Sequence, residues 1–168
     1  MLITSIFLHA DIAHLLSNVF AWFFFGSAVE AELKGKRMLL IFFGGALLGD
    51  LLSLLVYSFD SIAIGASAGI FALVGAGIFV RPLDLSFYPL VVPVPLAFLG
   101  MLYAAYNVYF FLAESGGQIS YVGHLGGLAV GFFVGSRHAG AKKSFLIIVA
   151  ALAALLAVPI ILHYVLKL

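Results

Sequence analysis

Six apolar stretches, each of about the length needed to cross a membrane as a helix, limit what this chain can fold into. A helix of about 20 apolar residues spans the hydrocarbon of a bilayer. Hydrophobic residues make up 65% of the 168 residues and charged residues only 9%, too few to cover the surface of a soluble domain. The sequence therefore predicts an all-α, polytopic membrane helix bundle. The six predicted transmembrane helices lie at about 9–29, 38–58, 63–80, 95–113, 119–136 and 144–166.

The charged residues predict the orientation of these helices. If the six helices alternate in direction, seven of the eight Lys and Arg residues fall on one side of the membrane, and basic residues are enriched on the cytoplasmic side. We therefore expect a multi-pass protein with both termini outside, in a prokaryotic cell membrane. The seven basic residues on the predicted inner side are Lys34, Lys36, Arg37, Arg81, Arg137, Lys142 and Lys143.

Composition also limits the partners. A net charge of +1 is too small to favour nucleic acid as a partner, and a chain without cysteine forms no disulfide framework. No pattern in the sequence indicates a metal or an organic cofactor. The lipid bilayer is the first partner that the sequence predicts.

Four polar side chains on three predicted helices share one layer near the outer side. His14 and Asn18 lie in the first turns of the first helix, and Ser67 and His124 lie near the starts of the third and fifth. At 1.5 Å per residue, each side chain lies roughly 5–10 Å below the outer edge of the membrane. Polar groups at one depth on neighbouring helices predict a site that opens to the outer side.

Stripes of small residues predict that the third and fifth helices touch. Such stripes allow two membrane helices to approach until their backbones nearly meet. Ser67 and His124 each adjoin a stripe, so close packing would bring a hydroxyl and an imidazole within hydrogen-bond reach, as a nucleophile and its base require. The alternative is that both residues serve only in packing. The stripes consist of Ala68, Ala72 and Ala76 on the third helix and Gly123, Gly127, Gly131 and Gly135 on the fifth.

Three further residues complete the candidate site. The side chains of His14 and Asn18, spaced i and i+4, share a helix face and, with the backbone N–H of Ser67, could donate to an oxyanion. Phe71, one turn after Ser67, could stack on the ring of His124 and orient it. The alternatives are interhelical hydrogen bonding for the polar pair and simple packing for the aromatic ring.

Asp50 is the acidic residue at membrane depth, where acids are costly and often functional. It could be the third member of a triad with His124, but a structural hydrogen bond to a neighbouring helix is the favoured interpretation. A small proton-coupled transporter that uses Asp50 and the histidines is a further alternative. We reject the Gly65-x-Ser67-x-Gly69 pattern as the nucleophile elbow of soluble hydrolases, because that motif needs a preceding strand in an α/β sheet.

These motifs resemble those of the rhomboid family of intramembrane serine proteases. The resemblance covers about Thr4 to Gly140 and consists of His14-x-x-x-Asn18, Gly65-x-Ser67 and Gly123-His124-x-x-Gly127-x-x-x-Gly131. It implies that Ser67 is the nucleophile and His124 the general base of a dyad. It further implies oxyanion donors at Asn18, His14 and the Ser67 amide, and a histidine-packing aromatic at Phe71.

The resemblance also implies a domain organisation and a substrate class. Residues 1–140 would be a rhomboid-like catalytic membrane domain that lacks the first helix of the family, and 141–168 an extra C-terminal transmembrane helix. Substrates would be transmembrane proteins that enter past the helix at 95–113 and are cut in or near their spans. The connection at 114–118 would act as a lid over the site. The alternative is a catalytically silent rhomboid-fold protein that binds membrane-protein clients.

Overall fold

The chain folds into a bundle of α-helices, as the sequence predicts. The computed structural model describes residues 3–57, 64–85, 94–113 and 120–166, with side chains up to residue 157. Within these ranges all regular structure is helical, and a short 3₁₀ turn, Ser5–Phe7, precedes the first α-helix. The six helices are α1 (Ile12–Leu33), α2 (Gly35–Val56), α3 (Ser67–Val80), α4 (Leu96–Ala113), α5 (Tyr121–Ala139) and α6 (Ala141–Leu166).

Two connections are much shorter than predicted. The predicted helix spans leave residues 30–37 and 137–143 as connections, but a single residue separates the helices in each case, Lys34 between α1 and α2 and Gly140 between α5 and α6. Both residues have a positive φ, of 72° and 83°. Lys, Arg and Glu are good helix formers, so the helices continue through the charged segments instead of ending at the membrane surface.

Helix α3 is the centre of the bundle. Every residue from Ala68 to Val80 is buried, and α3 packs against α1, α2, α4 and α5. A helix that is apolar on all faces is stable only when it is enclosed in this way. Among the described residues, α1, α2 and α4 are long and apolar enough to cross a membrane by themselves, whereas α3, with 14 residues, is shorter than its predicted span of 63–80.

The predicted contact between small residues of α3 and α5 is confirmed. A Cβ atom added at Gly127 would collide with the carbonyl oxygen of Ala68, and one added at Gly131 would collide with that of Ala72. One turn further along, a Cβ at Gly135 would lie 2.9 Å from the carbonyl oxygen of Ala76. The two backbones therefore touch over three successive turns, which only glycine permits on the α5 side.

Helix α2 joins the same interface, a contact that the stripes of small residues did not predict. A Cβ added at Gly49 would lie 2.5 Å from the carbonyl oxygen of Gly123 and 2.6 Å from the Cβ of Ala68. The hydroxyls of Ser53 and Ser120 lie 2.5 Å apart and link α2 to the start of α5. Three helices, α2, α3 and α5, thus form one close-packed unit, called the seam below.

Candidate active site

The hydroxyl of Ser67 and the imidazole of His124 are in direct contact, although 57 residues separate them. Ser67 is the first residue of α3 and His124 the fourth residue of α5. The distance from Ser67 Oγ to His124 Nε2 is 2.8 Å, a hydrogen bond. The Ser120 side chain caps α5 by accepting from the backbone N–H of Gly123 at 3.1 Å, so the helix is fixed immediately before His124.

Aromatic rings enclose the imidazole on one face. The ring of Phe71 stacks on that of His124, with centroids 4.3 Å apart and planes inclined by 13°. On its opposite side Phe71 stacks on Tyr103 of α4, with centroids 4.9 Å apart and the same inclination of 13°. Tyr121 approaches His124 edge-on at 6.2 Å. The plane of the imidazole is therefore defined by a stack of three rings.

Asn107 of α4 contacts the second nitrogen of the imidazole, a role that the sequence motifs did not predict. Its Oδ1 lies 2.7 Å from His124 Nδ1, and its Nδ2 donates to the carbonyl oxygen of Tyr121 at 3.2 Å. Only 1% of Asn107 is exposed. The available signal was a single amide within the apolar segment 96–113, since a polar side chain at membrane depth needs a partner on another helix.

Asp50 contacts a different part of the chain. Its Oδ2 accepts a hydrogen bond of 3.4 Å from the hydroxyl of Ser5, in the 3₁₀ turn before α1. The carbonyl oxygen of Ser5 in turn accepts from the backbone N–H of Gly65 at 2.9 Å. Asp50 is therefore linked through Ser5 to Gly65, two residues before Ser67, whereas the partner of His124 Nδ1 is Asn107.

Gly65 brings α1 close to the start of α3. Its φ of 111° is a conformation that residues with a side chain rarely adopt. A Cβ at this position would also lie 2.9 Å from the Nε2 and Cε1 atoms of His14, and 3.5 Å from Asn18 Nδ2. The side chains of His14 and Asn18 thus lie against the backbone two residues before Ser67.

Asn18 carries an unused donor. Its side chain is buried in α1, and Nδ2 has no hydrogen-bond partner among the described residues. A buried N–H without a partner is costly, so such a group indicates a site that a further acceptor can complete.

His14 lies one turn before Asn18 on α1, and His9 packs against His14. The backbone N–H of Ala10 donates to His14 Nδ1, with 3.5 Å between the two nitrogens, and the His9 and His14 rings pack edge to face with centroids 5.0 Å apart. The Nε2 atom of His9 is buried without a partner in the described part of the chain. In the ranges that the structure describes, no three His, Asp or Glu side chains cluster closely enough to hold a metal ion.

Comparison with known proteins identifies the family. The family model described as "Rhomboid domain" matches residues 1–140 of the chain. The chain belongs to the rhomboid family. The resemblance inferred from the motifs is therefore confirmed, and the protein is an integral membrane protein.

Several rhomboid relatives are named as proteases. The chain is 33% identical over 132 residues to rhomboid protease GluP of Bacillus subtilis, covering 79% of this chain and 24% of that protein. It is 28% identical over 147 residues to rhomboid-like protease 2 of Toxoplasma gondii, covering 80% and 46%. It is 28% identical over 153 residues to RHOMBOID-like protein 12, mitochondrial, of Arabidopsis thaliana, covering 81% and 45%.

This rhomboid chain spans about half or less of the length of these relatives. The relatives come from bacteria and from eukaryotes, one of them mitochondrial by name, so they do not favour the predicted prokaryotic membrane over others. The predicted lid at 114–118 lies outside the described residues.

Proposed function

We propose that this rhomboid is an intramembrane serine protease that hydrolyses peptide bonds in or near the transmembrane segments of other membrane proteins. Ser67 is the proposed nucleophile and His124 the proposed general base. The hydrogen bond of 2.8 Å between Ser67 Oγ and His124 Nε2 carries the proposal. The protease names of the relatives support it at the level of the family.

The proposed reaction begins at the serine hydroxyl. As Ser67 Oγ attacks the carbonyl carbon of the substrate, Nε2 of His124 takes the hydroxyl proton. The imidazolium then gives this proton to the amide nitrogen of the leaving strand, which leaves an acyl group on Ser67. A water molecule then attacks the acyl carbon while Nε2 takes one of its protons. The bond from the acyl carbon to Ser67 Oγ breaks, Nε2 returns the proton to Oγ, and the product leaves with a new carboxyl terminus.

Donors for the oxyanion are proposed on two elements. The unpartnered Nδ2 of Asn18 lies at the backbone that leads into Ser67, and the ring of His14 lies beside it. The backbone N–H of Ser67, at the first residue of α3, belongs to the helix end whose amides have no acceptor within the helix. An oxyanion between these groups would accept hydrogen bonds from them. Asn18 Nδ2 would then have the acceptor that it otherwise lacks.

The proposal is tested by covalent labelling and by cleavage of a model transmembrane substrate in detergent. A fluorophosphonate should label the purified protein, and the variant Ser67→Ala should abolish both labelling and cleavage. His124→Ala should do the same, because the hydroxyl then has no base. The matched control is Ser53→Ala, which removes another buried hydroxyl from the seam and should leave labelling intact.

Unchanged cleavage in either the Ser67→Ala or the His124→Ala variant would refute the proposed mechanism. Absence of both labelling and cleavage from the wild-type protein, together with stable binding of a transmembrane client, would instead support the catalytically silent alternative.

A further inference from the structure

We propose that Asn107 is a positioning residue that holds the Nδ1 proton of His124, and thereby leaves Nε2 free to accept the proton of Ser67. The proposal extends the proposed function, because it assigns to α4 the alignment of the base. It rests on the contacts of one side chain with two different groups.

The orientation of the Asn107 amide follows from its second partner. A carbonyl oxygen only accepts hydrogen bonds, so the atom of Asn107 that lies 3.2 Å from the carbonyl of Tyr121 is the amide nitrogen. The oxygen of the same amide consequently faces His124, at 2.7 Å from Nδ1. The two contacts are consistent with only one orientation of the amide.

The tautomer of His124 follows from this orientation of the Asn107 amide. Because an amide oxygen has no proton to give, the hydrogen bond between Asn107 Oδ1 and His124 Nδ1 requires the proton on Nδ1. In the neutral imidazole Nε2 is then unprotonated and can only accept. The hydroxyl of Ser67 is therefore the donor in the 2.8 Å contact, which is the arrangement that a general base requires.

Two residues of α4 act on the same ring. Asn107 bonds to its edge, and Tyr103, four residues earlier and so on the same face of α4, stacks on Phe71, which in turn stacks on the imidazole. The hydrogen bond selects the tautomer, and the stack defines the plane of the ring. Asn107 is nearly fully buried, so water does not compete for its oxygen. Helix α4 thus aligns the base from outside the seam.

The first test is nitrogen-15 NMR of the histidine side chains in the whole protein, which distinguishes a protonated ring nitrogen from an unprotonated one. The His124 signals are assigned by their absence from the His124→Ala variant. In the wild-type protein we expect the proton on Nδ1, and a proton on Nε2 would overturn the proposal without any variant of Asn107. This readout does not depend on proteolysis, so the proposal and the proposed function can fail separately.

The second test compares two substitutions at position 107. Asn107→Leu keeps the branched shape and the number of side-chain heavy atoms but removes the acceptor, so the single tautomer should be lost. The kcat should fall about tenfold to a hundredfold, part of the 10²–10⁴ that a general base contributes, with KM unchanged. Asn107→Asp keeps an acceptor towards His124, and in its neutral form its O–H can replace the amide donor to Tyr121. It should therefore restore the Nδ1 proton and most of the kcat.

The control is Ser53→Ala, which removes a buried interhelical hydrogen bond that does not reach His124. It should lower thermal stability without changing the tautomer or the kcat. An Asn107→Leu variant with wild-type kcat and an unchanged Nδ1 proton would refute the proposal. If Asn107→Leu does not fold, the wild-type spectrum and the Asn107→Asp variant still decide, because loss of the Nδ1 proton in Asn107→Asp would also contradict it.

Discussion

The backbone conformation of Gly65 determines how closely the His14 side chain approaches the segment before Ser67. Its positive φ and the closeness of the His14 ring exclude a side chain for two independent reasons. We expect Gly65→Ala to lower cleavage at least tenfold, because either the segment before Ser67 or the His14 side chain must move. Kinetics of the purified variant test this, and thermal denaturation separates a local effect from unfolding. Wild-type kcat in Gly65→Ala would show that the segment tolerates a Cβ.

Substitution of Asn18 is expected to slow cleavage with little change in substrate binding. Its unpartnered Nδ2 is expected to bond the oxyanion only in the transition state, so Asn18→Ala should lower kcat by about 10²–10³ and leave KM nearly unchanged. Because the substitution also removes a buried donor that lacks a partner, thermal stability should not fall by more than a small amount. A rise in KM at constant kcat would assign Asn18 to ground-state binding of substrate instead.

Spacing in the sequence was sufficient to nominate Ser67, His124, Asn18, His14 and Phe71, and the structure brings these side chains close to one another around the start of α3. Asn107 was not nominated. A lone amide in an apolar helix shows that a partner is needed, but not which of several helices supplies it. That information lies in the rotation of α4 about its own axis, which residue spacing within α4 does not determine.

At the scale of helices, the seam makes a prediction about stability. A Cβ at Gly131 would meet the backbone of Ala72, which cannot move without separating α3 from α5. We expect Gly131→Ala to destabilise the protein by about 1–3 kcal/mol, the usual cost of overpacking. Gly44→Ala is the matched control, because a Cβ there would lie 4.0 Å from Val130 Cγ1 and alanine favours helix. Equal melting temperatures for the two variants would show that close packing at Gly131 does not stabilise the protein.

The one-residue connections provide a second prediction at this scale. Lys34 has a φ of 72°, in which a non-glycine residue is strained, so Lys34→Gly should stabilise the protein by about 1 kcal/mol. Gly140→Ala should destabilise it by about 1–2 kcal/mol for the same reason. No atom lies within 4 Å of a Cβ at Gly140, so this effect would come from the backbone alone. Thermal denaturation in detergent measures both, and opposite signs are the expected result.

Within the described part of the chain, the six α-helices and their order followed from the apolar stretches, whereas several of their ends did not. Hydropathy locates the part of a helix that lies in hydrocarbon, but α1 and α2 continue through Glu30 and Lys36 because charged side chains are compatible with helix in water. The predicted start of α3 at residue 63 was early for a similar reason, since Ile64 is apolar but lies before the helix. The contribution of α2 to the seam did not follow from the sequence. Gly45 and Gly49 form only a short stripe, and glycine is frequent in membrane helices whether or not they pack closely.

For the whole molecule, the distribution of basic residues predicts the orientation in the membrane. The chain contains no cysteine, so single cysteines can report topology without background. Ala10→Cys, before α1, should react with a membrane-impermeant maleimide added to intact cells. Lys142→Cys, in the first turn of α6, should react only after the membrane is permeabilised. Both positions are exposed, so the reverse labelling pattern would place the candidate site on the inner side.

The seam has one consequence for how the proposed catalytic pair is maintained. Glycine and alanine have no side-chain rotamers to lose, so the contact between α3 and α5 orders the chain at almost no cost in side-chain conformational entropy. The hydroxyl of Ser67 and the imidazole of His124 are carried by helices joined in this way. Their alignment is therefore present before any substrate arrives, and binding need not provide the free energy to create it.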